Sequence, residues 1–291
     1  MLAVLLSVCS YPITGNAAEG ESVPAPSPVI VEKERGLLDL SNDYIEAEGM
    51  GVNPTGANSA QGKALARRAA IVDLQRNLLE FMNGVKVDAR TTMENFMADD
   101  RVRTELHGII KNVELLDGEW DGESYTIRGR IKMGQIRVVM APSLPQPEPY
   151  PVYGATPDIT ITLEPEPPAP KPAKKASKPA PQRYTGLVID VRHLPYAPAM
   201  TFQVFDASGR PVYDINNVSV ERFNTSGLCA YFNNIEIAKG DLRVTANPIM
   251  AKAAKLADGN VNIIISNADA SKVRASVPDF RKDCKVIVVS K

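Results

Sequence analysis

The stretch GANSAQGKAL, Gly56 to Leu65, carries the residue types of a phosphate cradle: glycines that free backbone amides, and a lysine to meet a terminal phosphate. A phosphate-binding loop spaces four residues between its glycine and its Gly-Lys pair. It then follows the lysine with Ser or Thr, whose hydroxyl holds magnesium. Here five residues separate Gly56 from Gly62, and Ala64 follows Lys63. Ser59 is also a good helix N-cap, which places Gly62 and Lys63 inside a helix rather than before one. The dinucleotide fingerprint fails too, because Pro54 follows Gly49 and Gly51 where the third glycine belongs. The residues predict no nucleotide and no other cofactor.

A second candidate, Asp117-Gly-Glu119-Trp-Asp121-Gly122, begins like a calcium loop. Such loops need a bidentate Glu at their twelfth position, which here is Arg128. The expectation is a solvated acidic turn between strands, with Trp120 either a contact residue or folded back onto the sheet. Of the two histidines, His107 falls at the end of a helix, where the dipole favours a cation. His193 follows a strand in Arg192-His193-Leu194-Pro195, with no nucleophile pattern beside it. No catalytic residue and no metal site is expected, so the protein is expected not to be an enzyme. A hydrolase using His193 and a neighbouring carboxylate is the enzymatic alternative, and Trp120, Tyr125 and His193 are the candidate ligand or partner contacts.

The chain has 291 residues, 44% of them hydrophobic, enough for two domains. Its 33 basic and 34 acidic residues give a net charge of −1, no field with which to hold nucleic acid. The apolar run from Leu2 to Val8 is shorter than the ~20 residues that span a bilayer. With Gly15, Ala17 and Ala18 behind it, residues 1–18 read as a secretory signal cleaved after Ala17 or Ala18. Lys33 is the first basic residue, so the usual basic n-region is expected upstream of Met1. Leu6-Ser7-Val8-Cys9 has the spacing of a lipoprotein box, although Val8 departs from the small residue that normally precedes the cysteine, and an outer-membrane lipid anchor at Cys9 is the alternative. The expected place of work is the periplasm or cell envelope, with no integral membrane span. Cys229 and Cys284 would then pair, a bridge that stabilises by about 4 kcal/mol on the chain-entropy model; two buried free thiols are the other reading.

The elements that position these groups follow from punctuation. Thirteen of the 23 prolines lie between Pro142 and Pro181, so residues 141–183 read as an extended linker between two domains. Within it, 158–163 alternates like a strand. Residues 19–40 read as disordered, 41–140 as the first domain and 184–291 as the second, giving an α+β protein with two small bodies on a tether reaching on the order of 100 Å. The first domain reads strand (Asp43 to Glu48), helix (Ala60 to Met82, capped by Ser59 and Asn83-Gly84), helix (Thr92 to His107), then strands over Ile109 to Leu116 and Ser124 to Met133. On the long helix, Asp73, Arg76, Asn77 and Glu80 form a narrow polar face. The rest, including Leu65, Ala69 and Val72, reads as buried, with Arg68 and Gln75 in need of partners there. The second domain reads as mostly β with one helix, capped by Ser266. Pro248 to Leu256 is expected to form a hairpin with Val261 to Ser266.

Ala47, Gly49, Gly51, Ala66-Arg67-Arg68-Ala69-Ala70 and Leu74, with the hairpin GEWDGESYTIRGRIKM, carry a resemblance. Roughly Tyr44 to Met133 resembles the LPP-twenty family of envelope lipoproteins and the related N-terminal domain of flagellar assembly protein T. That resemblance implies a small domain in the bacterial envelope whose matching residues are structural. TGLVIDVRHLPYAPAMTFQVFDASGRPVY looks like a segment that accompanies such domains in exported proteins. The expected function is a non-enzymatic structural or assembly adaptor with envelope or flagellar partners. The alternative is a periplasmic binding module for peptidoglycan or a small ligand.

Overall fold

The computed structural model describes residues 28–56, 58–144 and 183–291. The expected leader, Cys9, the strand over 158–163 and nearly all of the proline-rich linker lie outside the described residues. The protein is α+β, with an N-terminal domain, and a C-terminal domain richer in strands.

The N-terminal domain is an antiparallel sheet of β1 (Ile30–Lys33), β2 (Gly36–Asp39), β3 (Tyr44–Val52), β4 (Glu114–Trp120) and β5 (Ser124–Lys132), in spatial order β1-β2-β3-β5-β4. The disorder expected for residues 19–40 is corrected over 30–39, which form the β1–β2 hairpin. β2 pairs with β3 from Gly36↔Ala47 to Asp39↔Tyr44, and burial of Val29 and Leu38 anchors the segment. The helix α1 (Ala60–Asn83) crosses one face of this sheet, with the Ser59 hydroxyl accepting from the Gly62 amide and Gly84 as C-cap.

The expected burial of α1 needs correction. Asn77 is buried and donates to the Glu48 carbonyl at 2.7 Å, whereas Leu65, Ala69 and Val72 face solvent, as does Arg68. The helix packs mainly on the sheet, with smaller contacts to the two helices that follow it, so Ala66, Ala70, Leu74 and Leu78, four residues apart, make the contact and the opposite arc stays wet. The next helix splits into α2 (Met93–Phe96) and α3 (Asp100–Lys111), because the Asp99 carboxylate accepts from the Arg101 and Val102 amides and starts a new one. α3 absorbs Ile109 and Ile110, so β4 begins at Glu114. The last helix of the domain is α4 (Met133–Met140).

The C-terminal domain has two four-stranded sheets. One is wholly parallel: β6 (Gly186–Asp190) and β13 (Val286–Val289) are central, β9 (Ala230–Phe232) and β10 (Pro248–Lys252) are the edges. Leu187, Ile189 and Val288 face the main core. Val188, Ile287 and Val289 face a smaller cluster, so the central strands are apolar throughout. The other sheet has the order β11 (Lys255–Ala257), β12 (Asn262–Ile265), β7 (Val204–Asp206), β8 (Pro211–Tyr213). The expected hairpin partner of β12 is β11 alone; β10 leaves for the parallel sheet. Three helices accompany the strands where one was expected: α5 (Val220–Ser226), α6 (Ile235–Gly240) and α7 (Asn267–Ala275), the last capped by Ser266.

The domains are not held apart on a tether. A single apolar cluster runs from Leu38, Phe81 and Met133 to Phe202, Leu228 and Tyr231. Backbone bonds join the loops: the Met200 amide donates to the Lys86 carbonyl at 3.0 Å and the Thr201 amide to the Val87 carbonyl at 2.8 Å. The Ser41 hydroxyl donates to the Tyr231 carbonyl at 3.0 Å. The reach expected of two separate bodies is therefore overturned by apolar burial at their junction.

Candidate ligand cavity between the domains

Where the domains meet, a cavity of about 330 Å³ opens partly to solvent. The first domain supplies Leu38, Leu40 and Phe81 to its wall; the second supplies Met200, Phe202 and Leu228. Each segment reaches the site for a local reason. The β1–β2 hairpin is pinned to β3, Phe81 lies on the last turn of α1, and the 197–202 loop is hydrogen-bonded to 86–87. The volume is at the lower end of the range for small-molecule sites.

The polar groups of the cavity are few. The guanidinium of Arg137, on α4, is buried and donates to Asp43 through two bonds of 2.7 and 2.6 Å; its Nε donates to the Asn224 carbonyl of the second domain at 3.2 Å. That arrangement neutralises the buried charge and ties the domains together. The Cys229 sulfur and the Tyr231 ring complete the wall. Burial pushes the Cys229 thiol up to about 12 and the Tyr231 hydroxyl well above its ordinary range, so both are neutral donors at physiological pH. Two further charged residues, the exposed Lys33 and the half-buried Lys86, also line the cavity.

The expected disulfide is a correction: Cys229 and Cys284 are free thiols. β9 and β13 run parallel with Ala230 opposite Ile287, so Cys229 stands opposite Val286 and Cys284 lies two residues further back. Each sulfur instead has its own tyrosine, Tyr231 for Cys229 and Tyr213 for Cys284.

The other sequence-predicted residues lie away from the cavity lining. Trp120 and Tyr125 are direct partners across β4 and β5. The Trp120 indole donates to Asn58 at 3.2 Å, and the Tyr125 ring covers Gly118. His193, in the second domain, has Nε2 3.0 Å from the Ala253 carbonyl. His107 is exposed within α3. In the acidic turn, Asp121 accepts from the Ser124 hydroxyl and from the Ser124 and Glu123 amides, which hold its carboxyl down at about 2. Its oxygens close the turn. Gly62, from the supposed phosphate loop, is buried in α1, and a side chain there would strike Asn53. Sequence reasoning missed Lys33, Lys86 and Arg137. The one available signal was the run Pro195 to Phe202, apolar beyond what a solvated loop needs.

Residues 186–291 match the family described as Treponema pallidum Tp0624, second domain. The match covers the C-terminal domain and stops short of the N-terminal one. No curated protein matches the chain. Among the described residues, no helix is long and apolar enough to cross a membrane.

Proposed function

We propose that this is an exported bacterial envelope protein that binds a small apolar ligand between its two domains without turning it over. The observation that carries the reading is the 330 Å³ cavity, whose wall requires both domains. Apolar side chains supply non-directional attraction there, and the buried ion pair is already satisfied, which suits holding a molecule more than polarising one. Envelope location rests on the leader-like N-terminus and on the resemblance of residues 44–133 to LPP-twenty and flagellar assembly T domains. The test is fluorescence titration of the purified mature chain with N-phenyl-1-naphthylamine, a neutral apolar probe. One saturable site per chain is expected; a non-saturating or absent response contradicts the reading.

The assembly-adaptor reading is favoured by a separate observation. Leu65 and Val72, seven residues apart on α1, are 37% and 65% exposed, with Ala69 exposed between them. Such an apolar stripe on a solvated helix face suits a partner protein. Replacing Leu65 and Val72 with Glu should abolish a specific envelope complex recovered by cross-linking in cells, and an unchanged set of cross-linked proteins counts against the adaptor.

A further inference from the structure

We infer that the cavity takes a single-chain amphipathic anion, its alkyl tail inside and its carboxylate or phosphate head between Lys33 and Lys86. This rests on the binding reading above and adds the class of ligand. The interior offers no free charge, since Arg137 and Asp43 neutralise each other, so a charged head cannot be stabilised at depth. The two lysines differ. Among the described residues no carboxylate pairs with either Lys33 or Lys86, although Arg35, Arg76 and Arg128 nearby in the chain or fold all have acidic partners. The Lys33 Nζ lies 3.3 Å from where a Cβ on Gly84 would stand, at the C-terminal end of α1, where the helix dipole favours a cation. The backbone of Lys86 is fixed by its carbonyl, which accepts from the Met200 amide of the second domain. Both lysines line a cavity whose wall comes from both domains.

Size restricts the tail. A volume of about 330 Å³ holds roughly ten groups of ~30 Å³, the share of a water molecule and close to that of a methylene. A medium-length chain fits. A neutral sugar is a poor match, because the wall supplies few hydrogen-bonding groups.

The test is calorimetric titration of the mature chain at pH 8 with decanoate, decyl phosphate and decanol, each below its aggregation concentration. Either anion, or both, should bind at least tenfold more tightly than decanol, and whichever binds more tightly identifies the head. In the double variant Lys33→Ala, Lys86→Ala, the anions should fall to within about threefold of decanol. Single Lys→Gln variants, checked by thermal melting, guard against loss of the fold. Equal binding of decanol and the anions overturns this inference and leaves the cavity reading standing. An anion preference that survives the double variant also overturns it, and no binding by any of the three overturns both readings.

Discussion

Gly49 of β3 lies so close to α1 that a Cβ added there would stand 2.2 Å from the Leu74 backbone nitrogen and 2.3 Å from the Ala70 carbonyl oxygen. Gly51, two residues on, would meet the Ala66 carbonyl oxygen at 2.1 Å. The two glycines let a helix backbone rest on a strand backbone. The paired-glycine pattern that resembles a nucleotide motif is thus a packing device.

Replacing Gly49 with Ala must push α1 off the sheet. Backbone atoms cannot yield as a flexible side chain does, so the cost should reach the upper end of about 1–3 kcal/mol. A fall in melting temperature of several degrees is expected for a chain of this size. A melt within one degree of wild type would contradict the close approach.

The ion pair of Arg137 and Asp43 is asymmetric: the arginine side chain is 4% exposed and the aspartate 45%. Asp43→Ala strands a buried cation and should cost about 3 kcal/mol, the low end for a broken buried pair because Asp43 is partly screened by water. Arg137→Met leaves only a carboxylate that can hydrate, and should cost less. Urea unfolding of both variants checks the order, and the reverse order refutes it.

The thiols should be inert in the native protein. With burial holding Cys229 near 12 and raising Cys284, little thiolate exists at pH 8. Iodoacetamide should label neither cysteine in an hour natively and both in urea, read by intact mass. A Cys229–Cys284 bridge in the purified protein would contradict the two free thiols.

Asp206 gives the pH dependence. Burial raises its carboxyl, but the Arg210 and Ser208 amides and the Arg274 guanidinium outweigh that, and the net pKa is lowered. A folded value below the unfolded ~3.9 means stability that is present above about pH 4 and lost as pH falls through the folded value. The destabilisation caused by Asp206→Asn, measured by urea titration, should therefore be largest at pH 7 and shrink toward pH 2.5. A penalty independent of pH would show that the charge contributes nothing.

Local signals were legible in the sequence. Ser59 and Asn83-Gly84 bracket α1 because caps are side-chain chemistry, and Ser266 marks α7 for the same reason. The α+β class followed from such punctuation. Asn77 was misread because its amide finds the Glu48 carbonyl, a partner that no helical periodicity reveals. β1 and β2 are four residues each and mixed in polarity, so only their pairing with β3 makes them strands. The choice of β6 rather than β12 as partner for β10 is a long-range decision of parallel pairing. The cavity was invisible for the strongest reason: Lys33, Phe81, Arg137, Met200 and Tyr231 come from five separated segments, and no spacing rule joins them.

The central claim is that ligand enters the space between the domains, and Ala199, a buried residue of its wall, tests it most directly. Ala199→Phe puts a ring into that space. In a variant shown by its melt to remain folded, affinity for N-phenyl-1-naphthylamine should fall at least tenfold. Wild-type affinity in the folded variant would contradict the account.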